Sequence, residues 1–399
     1  MPTFHEEVVS ATACALHDLG FFVLVYIGNG VNIGGYMLPF SGRRKRSSEA
    51  FYGRCVSQRQ TIYSPIKHVY HPDIIVFVTY PMLLKGKKDN FALDLIIKTK
   101  EDNADTPIVM ITHRTNETFH DIMKVIDTYV PSNRITYMYL GEHTKLEAEK
   151  VVSQHTDQPI QLDYVYPVLP KEYITRPDSV TKGSSTWVMT DQVVNSNDYS
   201  PLFAVQGNFG GKHAHRKNPK MIVECLRSLE NGTQILPTNS KYNLTRDSPL
   251  NIDFIGHLDG PLDIKKLEHG HVRFLSNLGH TDYYTAISRA KFMVAAVGED
   301  AYYTSRATSS VPAALIGEIP LVTNKHFLKI YPCLRDSPMH IYIARETECE
   351  SIGVAITLTD AQYKIAKEEI KKCLLSFWNE AKQKYLNIIN DAKVKKTTS

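Results

Sequence analysis

Short uninterrupted apolar runs limit this fold more than any other feature of the sequence. Residues 21–27, 73–79, 107–112 and 135–140 are such runs, rich in Val and Ile. They lack the alternation of a half-solvated strand, so each reads as a strand buried on both faces. Between them lie segments of helical period. Residues 6–19 place Val8, Val9, Ala13 and Leu16 roughly on one face, and Gly20 follows as a stop. Buried strands separated by helices predict a parallel sheet covered on both sides. The last strand of this half falls near residues 160–165.

The pattern then halts. Residues 171–200 carry Pro177, Lys182-Gly-Ser-Ser and Asn195-Ser-Asn-Asp, and read as a linker. It restarts with strands at 202–206, 251–255, 272–275, 292–297, 320–323 and 339–344. Helices are expected at about 218–230, 282–290 and 310–316. Asn218-Pro219 supplies an N-cap and a proline at the first helical position, and Asn231-Gly232 supplies the stop. Two doubly wound α/β domains follow, residues 1–170 and 201–358, joined by 171–200. Residues 359–399 form a final amphipathic helix. It opens on the capping-box pattern Thr359-Asp-Ala-Gln362 and repeats Ala366, Ile370, Cys373, Leu374, Phe377, Ala381, Tyr385, Ile388 and Ala392 at helical spacing.

A length of 399 residues suits about two domains, and 43% apolar residues suffice for sizeable cores. The formal charge of +4 is too small to argue for nucleic acid as a partner. No apolar run approaches the roughly 20 residues of a membrane span. The opening Met-Pro-Thr-Phe-His-Glu-Glu lacks the basic and apolar regions of a signal peptide. Six cysteines, Cys14, Cys55, Cys225, Cys333, Cys349 and Cys373, show no metal or redox spacing and read as reduced, mostly buried thiols. Glycosylation acceptor patterns at Asn116, Asn231 and Asn243 are as many as chance provides in a chain this long.

Open α/β sheets bind ligands beyond the carboxyl ends of their strands, so the loops there are the places to search. Gly207-Asn-Phe-Gly-Gly is followed by Lys212, Arg216 and Lys217, just before a helix start. Glycines and cations beside free N–H groups suit a phosphate, with Gly207 and Asn208 nearest the backbone. This is not the dehydrogenase glycine fingerprint. Tyr302-Tyr-Thr-Ser-Arg-Ala-Thr-Ser-Ser-Val-Pro places Tyr303, Arg306, Ser309, Ser310 and Val311 at a second helix start. Ser309 or Ser310 is its expected cap, and the N–H groups of Ser310 and Val311 face an anion. Two such starts in one domain suit a pyrophosphate. Tyr283 or Tyr284 could stack on a base, the other being core. In the first half, His113 ends a buried strand, and His5 begins the first helix. Asn29-Gly-Val-Asn-Ile-Gly-Gly35 follows another strand. Arg43-Arg-Lys-Arg46 is a solvated basic run or meets lipid headgroups, and the Lys-rich face of the final helix is a second candidate for weak membrane-surface contact.

These segments resemble a GT-B glycosyltransferase. The likeness is architectural over nearly the whole chain and sharper from Phe203 to Tyr331. Val205-Gln-Gly-Asn-Phe with Arg216-Lys-Asn-Pro-Lys resembles the opening of the donor domain. Phe254-Ile-Gly and Leu278-Gly-His-Thr-Asp-Tyr-Tyr resemble the next strand and the helix beside the base. Ser309-Ser-Val-Pro-Ala-Ala-Leu-Ile-Gly-Glu-Ile-Pro resembles the segment whose helix start holds the donor phosphates. Pro72-Asp-Ile-Ile-Val and Val109-Met-Ile-Thr-His113 resemble paired acceptor-domain strands. The resemblance implies two Rossmann-like domains facing a cleft, with the final helix crossing back to the first. It implies a nucleotide-sugar donor, an acceptor that is a glycan, lipid or protein, and a transferase of hexosyl type. No cofactor is implied, and no Asp-rich motif suggests a metal. His113 would lie near the transferred sugar. The paired glutamates of many retaining members are missing, since Ser305 and Ala313 hold those positions and Glu318 falls after Gly317. Only Met1–Phe4 precede the first helix, where the fold normally has a strand. The strand is therefore displaced, or a longer form exists. The expected location is the cytoplasm or the cytoplasmic face of a membrane, or the secretory lumen if a longer form carries an anchor. The competing readings are a catalytically inactive binding module, favoured by the missing glutamates, and a sugar-nucleotide epimerase, for which no acid/base cluster stands out.

Overall fold

The computed structural model describes residues 6–22, 24–27, 32–33, 36–37, 55, 58–61, 73–78, 106–112, 115, 134–154, 160–174, 186–188, 201–209, 217–232, 249–258, 264, 267–276, 278, 280–336 and 345–398. The chain divides into two compact units. One collects residues 3–169, 303–307 and 377–399, and the other residues 1–2, 170–302 and 308–376.

In the first unit, helix α1 spans Glu6–Asp18. Strand β1 (Leu24–Ile27) pairs in parallel with β4 (Gln58–Thr61), and β2 (Asn32–Ile33) pairs with β3 (Tyr36–Met37). The main sheet is parallel and runs in the order β5 (Ile75–Val78), β6 (Ile108–Thr112), β7 (Ile135–Tyr139), β8 (Gln161–Tyr164). Every residue of β6 and β7 is buried. This is the outcome expected of a continuous apolar run, because alternate side chains leave on opposite faces and both must be covered. Helix α2 (Glu142–Ser153) covers part of one face, where Ala148 joins Phe77, Met110, Tyr137 and Tyr139 in one core cluster.

The second unit holds a six-stranded sheet. Its members are β9 (Thr186–Val188), β10 (Phe203–Phe209), β11 (Ile252–Leu258), β12 (Val272–Ser276), β13 (Phe292–Val294) and β14 (Leu321–Val322), in the spatial order β14-β13-β10-β11-β12-β9. All pairs are parallel except β12 with β9. Strand β9 lies inside the stretch expected to be a linker. Three residues pairing with a partner more than 80 positions away leave no local periodicity to read. The strand expected at 339–344 lies outside the described residues. The helices are α3 (Pro219–Glu230), α4 (His280–Arg289), α5 (Ser310–Gly317), α6 (Lys325–Lys329), α7 (Pro332–Arg335) and α8 (Glu348–Thr357). Asn218 caps α3 as expected, its side chain accepting from the Met221 N–H at 3.1 Å. Adjacent strands are also joined through side chains. Arg273 donates two hydrogen bonds, of 2.8 and 2.6 Å, to the buried carboxylate of Asp253, its register partner. Phe254 and Phe274 stack at 4.9 Å beside them.

The 39-residue helix α9 (Asp360–Thr398) belongs to the second unit through residue 376 and to the first from residue 377. Its start is the reciprocal cap expected from the sequence: the Gln362 N–H donates to Thr359 Oγ1, and the Thr359 N–H to Gln362 Oε1. The predicted apolar face is buried from Ala366 to Ile388, and Ala392 is half-buried. In the first unit Phe377 stacks on Tyr166 at 3.8 Å, and the Tyr385 hydroxyl lies 3.0 Å from Thr12 Oγ1. One lysine of the opposite face is absorbed into structure. Lys384 donates to the Tyr164 carbonyl at 2.7 Å and lies 3.0 Å from Asp163. No helix among the described residues is long and apolar enough to cross a membrane.

The cysteines correct the reading of reduced thiols. Cys14 is bonded to Cys55, Cys225 to Cys349 and Cys333 to Cys373, so all six are paired. The bonded positions are 41, 124 and 40 residues apart. Pairings this distant have no sequence signature, because connectivity is set by the fold.

Candidate functional site

The strand order of the second sheet reverses at β10. From β10 the chain moves through α3 to β11 and then β12 on one side, and afterwards to β13 and β14 on the other. The loops that leave the carboxyl ends of β10 and β13 therefore diverge to opposite sides of the sheet. The crevice this makes is the topological switch point, where open α/β sheets bind ligands. The two segments singled out in the sequence, Gly207 onward and Tyr302–Val311, are these two loops.

Glycines set the backbone at this edge. Gly207 and Gly256 are register partners at the ends of β10 and β11. Gly256 has φ +150°, and a Cβ there would run into the Gly207 carbonyl. A Cβ on Gly207 would lie 2.8 Å from Lys217 Cγ. The glycine thus makes room for a lysine stem as well as baring backbone, and Asn208 follows it half-buried, paired with His257.

Lys217 is the first departure from the sequence reading. Its position in the sequence groups it with the cations that await a phosphate, yet it is only 4% exposed. Its ammonium donates to the Ala295 carbonyl and to Ser310 Oγ, both at 2.6 Å, and its backbone bridges to Val297. It therefore ties the two switch-point loops together from beneath. Glu348 at the start of α8 completes this buried group. Its Oε1 accepts from the Val297 N–H and from Thr323 Oγ1, each at 3.2 Å. Burial pushes Lys217 down to about 8, against the pull of the Glu348 charge. Burial likewise pushes Glu348 up to about 7, against the Val297 N–H and Lys217. Neither residue carried a local sign of this role, because their burial arises from the joining of three distant loops.

The start of α5 is the second departure. Ser309 occupies the cap position, but its hydroxyl donates to Gln206 Oε1 at 2.8 Å instead of capping. Thr308 Oγ1 accepts the Ser310 N–H at 3.2 Å. Ser310 is fully buried, with its hydroxyl 3.3 Å from the Ala295 carbonyl and in the hands of Lys217. The Ser310 N–H is therefore not open to an anion. Pro312 has no N–H, and Ala313 already donates to the Ser309 carbonyl. The Val311 N–H is the donor this turn leaves without an acceptor among the described residues. Tyr283 and Tyr284 also differ from expectation. Both are buried, at 5% and 4% exposure, and pack edge to face at 5.1 Å, so neither presents an open ring for a base.

Tyr303 and Arg306 fall in the first unit, in the segment 303–307. Both are half-buried. The Thr115 N–H donates to the Ser305 carbonyl at 3.0 Å, and His143 Nε2 lies 3.2 Å from the Arg306 carbonyl. A carbonyl only accepts, so His143 carries its proton on Nε2. Burial lowers its pKa to about 4, with the Arg306 carbonyl opposing. The folded state thus binds His143's proton only near pH 4, while the unfolded chain binds it near 6.5. Between those values the unfolded state holds more protons, and stability falls as the solution is acidified. Acidifying from pH 6.5 to 4 should cost up to about 3 kcal/mol from this residue. Urea unfolding across that range checks it, and His143→Gln should lose that part of the pH dependence. His113, His5, Lys212 and Arg216, with Asn29–Gly35 and the run Arg43–Arg46, lie outside the described residues, apart from the strand residues Asn32–Ile33.

No family model and no curated protein matches the sequence. Among solved structures, the chain is similar to the T4 phage beta-glucosyltransferase, at 12% identity over 92% of this chain and 99% of that one, with a TM-score of 0.45. It is also similar to a mutant of S. aureus TarM in complex with fondaparinux, alpha-GlcNAc-glycerol and UDP, at 12% identity over 82% of this chain and 58% of that one, TM-score 0.44. The N-terminal domain of Candida albicans trehalose-6-phosphate phosphatase matches at 11% identity over 90% of this chain and 78% of that one, TM-score 0.43.

Proposed function

We propose that the protein is a glycosyltransferase that moves a sugar, of hexosyl type, from a nucleotide-sugar donor to an acceptor hydroxyl. The observation that carries this reading is the switch point of the second sheet, where the carboxyl end of β10 at Gln206–Gly207 meets the α5 turn through the Ser309–Gln206 and Lys217–Ser310 hydrogen bonds. In this reading the donor diphosphate lies against Gly207, Asn208, Ser309 and Val311. Lys212 and Arg216 follow β10 directly in sequence and supply positive charge to the leaving diphosphate, as does Arg306. Ser310 acts through its hold on Lys217. His113 keeps the role implied by the GT-B resemblance, beside the transferred sugar, and His5 belongs with it. The acceptor is a glycan, lipid or protein hydroxyl.

The test is release of nucleoside diphosphate from a panel of nucleotide-sugars, measured per folded molecule. The wild-type chain should consume one donor class. His113→Gln should keep the melting temperature and donor binding while lowering turnover, because the lost contact matters most in the transition state. Unchanged turnover with a lowered melting temperature would make His113 a packing residue.

A further inference from the structure

We propose that Asn231 is an N-glycosylation acceptor and that the chain matures in an oxidising, glycosylating compartment. Two independent observations lead there. The first is the pairing of all six cysteines in three disulfides. Such bonds persist where thiols are oxidised and are rare where glutathione and thioredoxin keep them reduced. The second is the placement of the Asn231-Gly-Thr pattern. Asn231 and Gly232 form the exposed turn that ends α3. The Asn231 backbone N–H donates to the Arg227 carbonyl at 3.0 Å, and the Gly232 N–H to the Leu229 carbonyl at 3.2 Å. The Asn231 side-chain amide makes no hydrogen bond among the described residues. The pattern is accessible, as a glycan acceptor must be.

Both features sit on one helix. Cys225 is on α3, bonded to Cys349 on α8, and Asn231 terminates the same helix. The site is also compatible with the proposed function. Helix α3 begins at the carboxyl edge of β10, beside the switch point. Twelve residues of α-helix carry the chain about 18 Å onward, to the opposite edge of the sheet. A glycan on Asn231 would leave the switch point open.

The donor would be an oligosaccharide on a polyprenyl pyrophosphate. The Asn231 amide nitrogen attacks its anomeric carbon, a C–N bond forms, and the C–O bond to pyrophosphate breaks. The polyprenyl pyrophosphate departs, and one amide proton passes to a base of the transferring enzyme. Disulfide formation removes six electrons and six protons from six thiols. Three protein disulfides of the compartment accept them by exchange, two electrons and two protons each, and are themselves reduced.

The test uses the full chain isolated from its own cells, lysed into an alkylating agent so that free thiols are trapped. Peptides from its proteolytic digest are then deglycosylated with an N-glycanase in heavy-oxygen water. The expected result is Asn231 converted to aspartate carrying one heavy oxygen, with all six cysteines unalkylated until reduction. A parallel incubation in heavy-oxygen water without the enzyme separates enzymatic release from spontaneous deamidation of the Asn-Gly pair, which takes up the same label. Asn231→Gln and Thr233→Val should each remove one glycan from the intact mass while leaving nucleotide-diphosphate binding unchanged. Cysteines alkylated before reduction would overturn the compartment. Paired cysteines with an unmodified Asn231, or glycans confined to Asn116 and Asn243, would overturn the site.

Discussion

Replacing Lys217 by methionine should lower the unfolding free energy by about 3 kcal/mol or more, the scale for removing one partner from a buried charged group. The change removes the cation that favours the ionised form of buried Glu348 and two 2.6 Å hydrogen bonds, to the Ala295 carbonyl and to Ser310 Oγ. Methionine matches the stem of lysine closely, so the loss is electrostatic more than steric. Urea unfolding followed by far-ultraviolet circular dichroism measures it. Pairing the change with Glu348→Leu should recover much of the loss, because an apolar pair of similar volume relieves both desolvation penalties. A double variant as unstable as Lys217→Met alone would show that the lysine acts through its two hydrogen bonds and not through the charge of Glu348. Nucleotide binding should fall in the single variant even where it folds, since Lys217 holds the two switch-point loops together.

The second large effect concerns Cys225–Cys349. The bonded residues are 124 positions apart, and crosslinking so long a stretch restricts the unfolded chain strongly. Removing the bond by Cys225→Ser with Cys349→Ser should cost roughly 2–5 kcal/mol. Thermal unfolding with and without a phosphine reductant checks this. The wild type should melt lower when reduced, and the double serine variant should respond less, its remaining sensitivity coming from the other two bonds. A wild type that melts identically under both conditions would contradict the contribution assigned to the pairing.

The strands and caps of this fold were legible because their signals are local. Uninterrupted β-branched runs can only be buried on both faces, and β6 and β7 are. Asn218-Pro219 and Thr359–Gln362 are complete capping instructions within four residues, and both operate. The candidate site was legible only in outline. Glycine and helix-start patterns located the two loops, but which groups remain open depends on long-range contacts. Lys217 and Ser310 look like ligand groups in sequence and satisfy each other in the structure. Tyr283 and Tyr284 have the spacing of a helix with one face outward, yet both are covered. Strand β9 and the three disulfides are decided by pairings across 40 to more than 80 residues, which no window of the sequence contains.

The central claim is that the switch point of the second sheet takes a nucleoside diphosphate. Calorimetric titration of the full chain with UDP, GDP, ADP, CDP and TDP, each beside its monophosphate, tests it most directly. The account predicts that one diphosphate binds and that its monophosphate binds at least about tenfold more weakly, the loss of one charge-assisted contact set being worth roughly 1.4 kcal/mol or more. Arg306→Ala should weaken that diphosphate by a further roughly 1.5–3 kcal/mol if its guanidinium reaches the phosphates. No binding by any diphosphate to the folded chain, or equal binding of the matching monophosphate, would contradict the claim.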